Sequence, residues 1–138
     1  MKVVLIIGLP ASGKSTYIKK NYSQEEYVIL DDYGVKNPEG DKIKLKQGIA
    51  ENRDIVIADV HFCKTVTRES AIKKIMELSK DKAEIEQIFF ENNIEKCYKN
   101  METRHLNGDK RIVEPTIRRY SAIYVIPEGV VPVKIVCP

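Results

Sequence analysis

Hydrophobic residues along this chain fall into short runs separated by segments that repeat with helical period. Residues 3–7 are five consecutive apolar side chains, four of them β-branched, the pattern of a strand buried on both faces of a parallel sheet. Similar runs predict four further strands, at residues 27–30, 55–58, 83–90 and 131–136. The last run contains Pro132, which favours an edge or a strand-start position.

The segments between these runs predict helices. Residues 14–21 follow a glycine-rich turn and read as the helix that it opens. Asn37 and Pro38 are typical of an N-cap and a first helical residue, and we expect their helix to run to about Asn52. The alternation of apolar and charged residues over 42–46 argues for a strand instead. A helix is favoured because parallel strands need a crossover connection.

Three more helices are predicted in the second half of the chain. Thr65 or Thr67 is expected to cap the first of them, whose apolar residues share one face. Asn92 begins a segment that resembles a capping box, and Gly108 is the expected stop of that second helix. The third helix is predicted to open at residues 114–115 and to end before residue 127.

Strands and helices therefore alternate from one end of the chain to the other. This order predicts an α/β fold, with a doubly wound, mainly parallel sheet of five strands and helices on both faces. The length of 138 residues is that of one domain, and no repeat or linker interrupts it. We expect the charged connector at residues 104–114 to form a lid over the carboxyl ends of the strands.

Composition narrows the class of protein. With 43% hydrophobic and 31% charged residues, the chain is not of the disordered, collagenous or coiled-coil type. A net charge of +3 permits a phosphate-bearing partner but is too small to imply a groove for a polyanion. The three cysteines are an odd number and lie far apart, which favours reduced thiols and a cytoplasmic protein. The apolar N-terminal run is too short for a membrane span, and the glycines and Lys14 after it do not suit a signal peptide.

Residues 8–15, GLPASGKS, match the pattern G-x-x-x-x-G-K-[ST] at every fixed position, after a predicted strand and before a predicted helix. In such a loop the glycines let backbone N–H groups point at phosphate oxygens, and the helix adds the positive end of its dipole. Lys14 would reach the β- and γ-phosphates, and the Ser15 hydroxyl would bind Mg²⁺. We therefore expect ATP and Mg²⁺ here, with these residues as nucleotide contacts: Gly8, Ala11, Ser12, Gly13, Lys14, Ser15 and Thr16.

Two acidic residues follow predicted strands directly, and the carboxyl ends of parallel strands are where open α/β sheets bind ligands. Asp59 has the form of an acid that orients Mg²⁺ through a water, although it can also be a helix cap. Asp31 and Asp32 point to opposite sides in an extended chain, so only one faces the γ-phosphate. Asp31 is closer to the strand and is the candidate general base for an acceptor hydroxyl. His61 would lie on the same rim, where a lone histidine is more often structural.

Phosphoryl transfer spreads negative charge over the γ-oxygens, so an arginine that closes over the site is expected. Arg104 is the catalytic candidate, and Lys110 and Arg111 in the connector are the other candidates, with Arg111 as a nucleotide contact. Arg118 and Arg119 on the following helix are the second choice. Each of them can equally be a solvated surface residue.

The motifs together resemble the 5′-hydroxyl polynucleotide kinase domain of phages and related small P-loop kinases. The resemblance runs from Lys2 to about Tyr124, with GLPASGKST similar to the family's G-x-P-x-S-G-K-S-T loop and residues 31–33 similar to its D-D-Y. It implies a kinase-type P-loop fold, an ATP- and Mg²⁺-dependent phosphotransferase, and a role as general base for the first aspartate, Asp31. It also implies that Arg104 and the stretch through Arg111 lie where the lid arginines are found.

Three functions remain open. The first is a kinase of the 5′-hydroxyl of a nucleic acid or nucleotide, and the D-D-Y element favours it. The family places an arginine shortly after D-D-Y to grip the acceptor's phosphate, whereas this chain has Gly34 there, with Lys36 the nearest cation. The second is a kinase of another hydroxyl, on a sugar, an antibiotic or a cell-wall precursor. The third is a nucleotide-binding switch or NTPase without an acceptor, which the absence of N-K-x-D disfavours.

Overall fold

The computed structural model describes residues 1–137, in which parallel strands alternate with helices. The strands are β1 (Lys2–Ile7), β2 (Tyr27–Leu30), β3 (Asp54–Ala58) and β4 (Glu84–Phe89). The helices are α1 (Lys14–Asn21), α2 (Pro38–Ala50), α3 (Thr65–Leu78), α4 (Ile94–Leu106) and α5 (Glu114–Ser121), with a 3₁₀ turn over Val60–Cys63. These elements make the protein α/β, as the hydrophobic pattern predicts.

The strands form one sheet in the order β2-β3-β1-β4, and every pairing is parallel. Val4 lies between Val56 on one neighbouring strand and Glu86 on the other. Residues 3–7 are all fully buried, and successive side chains of a strand point to opposite faces. The apolar run of β1 is therefore covered on both faces of the sheet, as expected of a central parallel strand.

The predicted fifth strand is reduced to a single bridge. Val133 pairs in parallel with Phe90, donating its N–H to Phe89 over 2.8 Å and accepting from the Glu91 N–H over 2.9 Å. The next residue of the segment that would donate toward β4 is Ile135, and its N–H donates to the Glu91 carboxylate rather than to a backbone carbonyl. Within the described residues the sheet therefore has four strands.

The start of α2 and both ends of α1 follow the sequence, whereas the caps of α3 and α4 depart from it. The Asn37 side chain accepts from the Gly40 N–H, as its N-cap role requires, and the alternation over 42–46 does not prevent a helix. Thr65 is the first residue of α3, after Lys64, so neither Thr65 nor Thr67 is its cap. α4 is capped by Asn93, one residue beyond the prediction, because the Asn92 side chain is used elsewhere.

α5 is shorter than the sequence suggests and ends at Ser121. The chain turns inward there, because Tyr124 is buried and its hydroxyl donates to the Phe90 carbonyl over 2.5 Å. Asn92 closes the same corner, donating to the carbonyls of Ser121 and Tyr124. The end of α5 is thus tied to the carboxyl end of β4.

The cysteines are free thiols, as their number and spacing predict. Cys63 and Cys97 are buried in the core, whereas Cys137 is partly exposed. Burial raises the pKa of each of the two core thiols to about 11. Over residues 1–137, no helix has both the length and the apolar character needed to cross a membrane.

Candidate active site

The glycine loop (residues 8–13) connects β1 to α1 at the carboxyl edge of the sheet. Its backbone turns sharply, because Ala11 and Gly13 both have positive φ, 62° and 95°, and the Ser12 N–H donates to the Leu9 carbonyl. Gly13 is the N-cap residue of α1, and no side chain caps that helix. The N–H groups of the first turn of α1 are therefore free to meet an anion.

Gly8 is required for close packing rather than for its φ angle. A Cβ at this position would lie 2.8 Å from the Ser12 Oγ and 2.9 Å from the Phe90 Cβ. The Phe90 backbone N–H also donates to Ile7, so this phenylalanine cannot move away easily. The strand–loop junction is thus packed directly against the end of β4.

Lys14 is folded back onto its own loop. Its Nζ donates to the carbonyl of Gly8 over 2.6 Å and to that of Leu9 over 2.8 Å. Burial lowers the pKa of Lys14, and the nearby Cys63 and Asp32 oppose that shift. The ammonium group thus lies at the mouth of the loop, held by two carbonyl oxygens that bring no negative charge of their own.

Ser15 and Asp31 are brought together by the parallel arrangement of β1 and β2. The Ser15 hydroxyl donates to the Asp31 Oδ2 over 2.6 Å. The other oxygen, Oδ1, accepts from the Asp32 N–H, and Asp32 has a positive φ of 51° that turns the chain away after the strand. Asp31, rather than Asp32, is therefore the carboxylate that contacts Ser15 at the start of α1.

Asp59 is buried at the end of β3, and its bonds are local. Its Oδ1 accepts from the His61 N–H over 3.0 Å and lies 2.7 Å from the Nδ1 of the same residue. It thereby caps the 3₁₀ turn, which is the alternative role that the sequence leaves open for it. The His61 ring meets Tyr120 edge to face, with ring centroids 5.9 Å apart. Asp59 is not hydrogen-bonded to Ser15.

A cavity of about 460 Å³ lies between α1 and α4, next to the glycine loop. Thr16 and Arg104 both line this α1–α4 cavity. Its walls also include aromatic, aliphatic, polar and basic side chains: Ser12, Tyr17, Lys20, Phe90, Asn100, Thr103, Lys134 and Val136. Tyr17 and Phe90 pack edge to face in it, with ring centroids 5.4 Å apart.

Arg111 does not line that cavity. Its guanidinium forms three hydrogen bonds with the Asp109 carboxylate, the shortest over 2.7 Å. These bonds lower the pKa of Asp109, which keeps the pair charged. The predicted lid corresponds to a connector between α4 and α5 that is neither helix nor strand over residues 107–113. Of the two predicted arginines, only Arg104 therefore lines the α1–α4 cavity.

A second cavity, of about 730 Å³, lies between α1 and α2 beside the free edge of β2. Ser15 and Asp31 line this α1–α2 cavity, so their hydrogen bond lies on its wall. Its charged residues have both signs: Lys19, Lys44, Glu25 and Asp41. A group held here would meet the Asp31 carboxylate without a surrounding positive field.

Asn100 is a site residue that the sequence reasoning missed. It is buried on α4, and its amide donates to the Ala11 carbonyl of the glycine loop. The signal was present, since Asn100 lies three residues after Cys97 on the apolar face of a predicted helix. A polar residue on such a face must find partners inside the protein.

The oxygens at the glycine loop suit a magnesium ion. Mg²⁺ is commonly held by one or two protein ligands together with phosphate oxygens and water, and Ser15 and Asp31 supply a hydroxyl and a carboxylate side by side. Among residues 1–137, no three or more histidine, cysteine or acidic side chains are grouped to hold a metal ion by themselves. The residues present therefore fit a cation that depends on a bound phosphate.

The protein is an α/β protein with a four-stranded parallel sheet. At the carboxyl edge of this sheet lie the glycine loop, Lys14 and the hydrogen-bonded pair Ser15–Asp31. One cavity lies next to the glycine loop, and the Ser15–Asp31 pair lines a second one. Neither a protein-family model nor a curated protein sequence matches the chain.

Proposed function

We propose that this protein is a kinase of the P-loop type that transfers the γ-phosphoryl group of ATP to a hydroxyl acceptor. The observation that carries the proposal is the Ser15–Asp31 hydrogen bond, which lies at the end of the glycine loop and on the wall of the α1–α2 cavity. In phosphoryl transfer the nucleotide and the acceptor bind next to each other, and a carboxylate between them accepts the proton of the acceptor hydroxyl. The free thiols are in keeping with a cytoplasmic enzyme.

On the donor side, the loop N–H groups and the first turn of α1 bind the phosphates. Lys14 exchanges its contacts with Gly8 and Leu9 for the β- and γ-phosphate oxygens. The nucleoside enters the α1–α4 cavity, where the Tyr17 and Phe90 rings supply an apolar wall for a base. Arg104 lines the same cavity and can turn its charge toward the phosphates.

On the acceptor side, Asp31 accepts the proton of the attacking hydroxyl. The acceptor oxygen forms a bond to the γ-phosphorus, and the bond between that phosphorus and the β–γ bridging oxygen breaks, leaving its electron pair on ADP. A magnesium ion held at Ser15 supplies neutralisation of charge on the β- and γ-oxygens. Asp59, whose Oδ1 accepts from His61, would orient the magnesium ion through a water.

Two acceptors are proposed. The 5′-hydroxyl of a nucleic acid or nucleotide is the first, on the resemblance carried by the D-D-Y element. A hydroxyl on a small neutral molecule is the second, and the charges of the α1–α2 cavity favour it. Two lysines and three acidic residues line this cavity, namely Lys19, Lys44, Glu25, Asp41 and Asp31. Because the acidic charges offset the basic ones, the cavity has no positive potential to attract the phosphates of a nucleic acid.

The test is transfer of labelled γ-phosphate from ATP to a 5′-hydroxyl oligonucleotide, beside nucleosides and a panel of sugars and polyols. Label on any acceptor supports a kinase, and the acceptor labelled identifies the class. If inorganic phosphate is released while no acceptor is labelled, and if adding an acceptor does not change the rate of that release, the protein is an NTPase instead. Lys14→Ala serves as the control that removes the phosphate contact from every reaction.

A further inference from the structure

One amide joins the glycine loop to the end of the chain. The Asn100 Nδ2 donates to the Ala11 carbonyl over 3.0 Å and to the Val136 carbonyl over 3.2 Å. These two acceptors are 89 and 36 residues away in sequence, so the contact is a tertiary one. Both amide hydrogens are used on carbonyl oxygens, which fixes the orientation of the amide and leaves its Oδ1 without a partner.

The loop end of this contact is a strained point. Ala11 has a φ of 62°, in the left-handed region that L-residues other than glycine avoid. Its neighbours in the loop are Ser12, whose N–H donates to the Leu9 carbonyl, and Gly13, the N-cap residue of α1. A donor that holds the Ala11 carbonyl therefore helps to keep the loop in the shape that an anion requires.

The other end of the contact is the C-terminal segment (residues 131–137). Val133 attaches it to β4 through two backbone hydrogen bonds. The Glu91 carboxylate holds it a second time, accepting from the Ile135 N–H over 3.1 Å and lying 3.6 Å from the Lys134 ammonium. Lys134 and Val136 then form part of the α1–α4 cavity wall.

We propose that Asn100 is a positioning residue for the phosphate donor and that the C-terminal segment is part of the donor site through it. This inference rests on the proposed function, because it concerns the nucleotide that the glycine loop binds. Asn100 does not touch the reacting atoms. It acts by fixing the Ala11 carbonyl on one side and the Val136 carbonyl on the other.

The first experiment compares two amides of the full-length chain, the buried Asn100 and the exposed Asn92. Asn100→Ala removes the link, and Asn92→Ala removes an amide that also donates to two carbonyls, of Ser121 and Tyr124, away from the glycine loop. MgATP affinity is measured by calorimetric titration, and thermal stability by its melting temperature. We expect a melting-temperature loss in both variants, and an ATP affinity about tenfold weaker in Asn100→Ala alone. An equal ATP affinity in the two variants would overturn the proposal.

A second variant tests the C-terminal segment from outside the glycine loop, at Glu91, which also pairs with Lys134 of the cavity wall and with Lys96 of α4. Glu91→Ala removes the side-chain anchor of Ile135 and leaves the backbone bonds of Val133. If the segment acts through Asn100, the ATP-affinity losses of Glu91→Ala and Asn100→Ala are not additive in the double variant. Full additivity, or no loss in Glu91→Ala, contradicts the role of the segment.

The failure of this inference differs from the failure of the proposed function. If the wild-type chain does not bind MgATP, the kinase itself is refuted. If the wild type binds and Asn100→Ala binds equally well, only the positioning role is refuted. Once an acceptor is identified, Asn100→Ala should raise the KM for ATP and leave kcat near the wild-type value. A loss of folded protein would instead lower the apparent kcat and leave KM unchanged.

Discussion

The Ser15 hydroxyl donates to the Asp31 carboxylate over 2.6 Å, which joins the first turn of α1 to the end of β2. One carboxylate is thus within reach of both the predicted magnesium ligand and an acceptor in the α1–α2 cavity. Orienting Ser15 requires only a hydrogen-bond acceptor, whereas general-base catalysis requires a group that can take a proton. Asparagine and alanine at position 31 separate these two roles.

Asp31→Asn should lose phosphoryl transfer by about 10²-fold or more, because an amide does not accept the proton of the acceptor. Its ATP affinity should stay close to that of the wild type, since the amide oxygen still accepts from Ser15. Asp31→Ala should lose both. The measurements are γ-phosphate transfer and MgATP titration, and transfer retained in Asp31→Asn would remove the general base from its assigned place.

Gly13→Ala and Gly8→Ala should fail for different reasons. At Gly13 the added Cβ has space but the φ is 95°, so the expected cost is about 1–2 kcal/mol of stability together with weaker ATP binding. At Gly8 the Cβ meets Ser12 and Phe90 below 3.0 Å, so the loop itself must shift. Urea denaturation and MgATP titration measure the two effects.

Gly129→Ala is the matched control for Gly13→Ala. Gly129 also has a positive φ, 83°, and open space around its Cβ position, but it lies outside the glycine loop. It should lose a similar amount of stability and no ATP affinity. Equal ATP affinities in the two variants would mean that the geometry at Gly13 does not matter to the nucleotide.

The core thiols should make the protein less stable in alkali. The pKa of Cys63 and of Cys97 is raised to about 11 by burial, from an ordinary value of 9.0, so the unfolded chain gives up these protons first. The contribution of these two thiols to stability should therefore be constant below about pH 8.5 and fall as pH rises from there toward 11. Denaturant melts across that range, compared with those of a Cys63→Ala, Cys97→Ala double variant, measure the slope.

The same pKa values predict slow alkylation. At pH 8 iodoacetamide should modify Cys137 first, because it is partly exposed and the two core thiols are protonated and covered. Mass spectrometry of the digested protein identifies the labelled position. Cys63 or Cys97 reacting as fast as Cys137 in folded protein would contradict the burial described here.

Arg104 should matter more than Arg111 to the bound nucleotide. Arg104 lines the α1–α4 cavity, whereas the Arg111 guanidinium is held by Asp109. We expect Arg104→Ala to raise the KM for ATP or to lower kcat by about tenfold or more. Arg111→Ala should have a smaller effect on both the KM and kcat. Asp109→Asn, which releases Arg111, provides the check: if it strengthens ATP binding, Arg111 is a second phosphate contact.

The first half of the site could be predicted because it is local. The apolar run of β1, the glycine loop and α1 follow one another directly, so α1 (Lys14–Asn21) and β2 (Tyr27–Leu30) have the predicted limits. Asp31 directly follows β2, and its position at the carboxyl edge follows from parallel pairing alone. The hydrogen bond to Ser15 needed the structure, because a spacing of 16 residues does not reveal which side chains touch.

The rest depends on contacts between distant parts of the chain. The apolar run at 131–136 has strand composition, but the Ile135 N–H donates to the Glu91 side chain, so only Val133 pairs. Asp59 has the form of a metal-orienting acid, yet the nearest donors, on His61, are two residues away and take its oxygen. Asn100 was missed because its partners lie 89 and 36 residues away.

The two edges of the sheet differ in how they resist joining another chain. On one side the segment around Val133 covers the end of β4, and Pro132 offers no donor there. On the other side β2 is open but only four residues long, with Glu25 and Glu26 before it and Asp31 and Asp32 after it. Two such edges meeting antiparallel would bring glutamates against aspartates, and this repulsion protects the molecule from aggregating through β2.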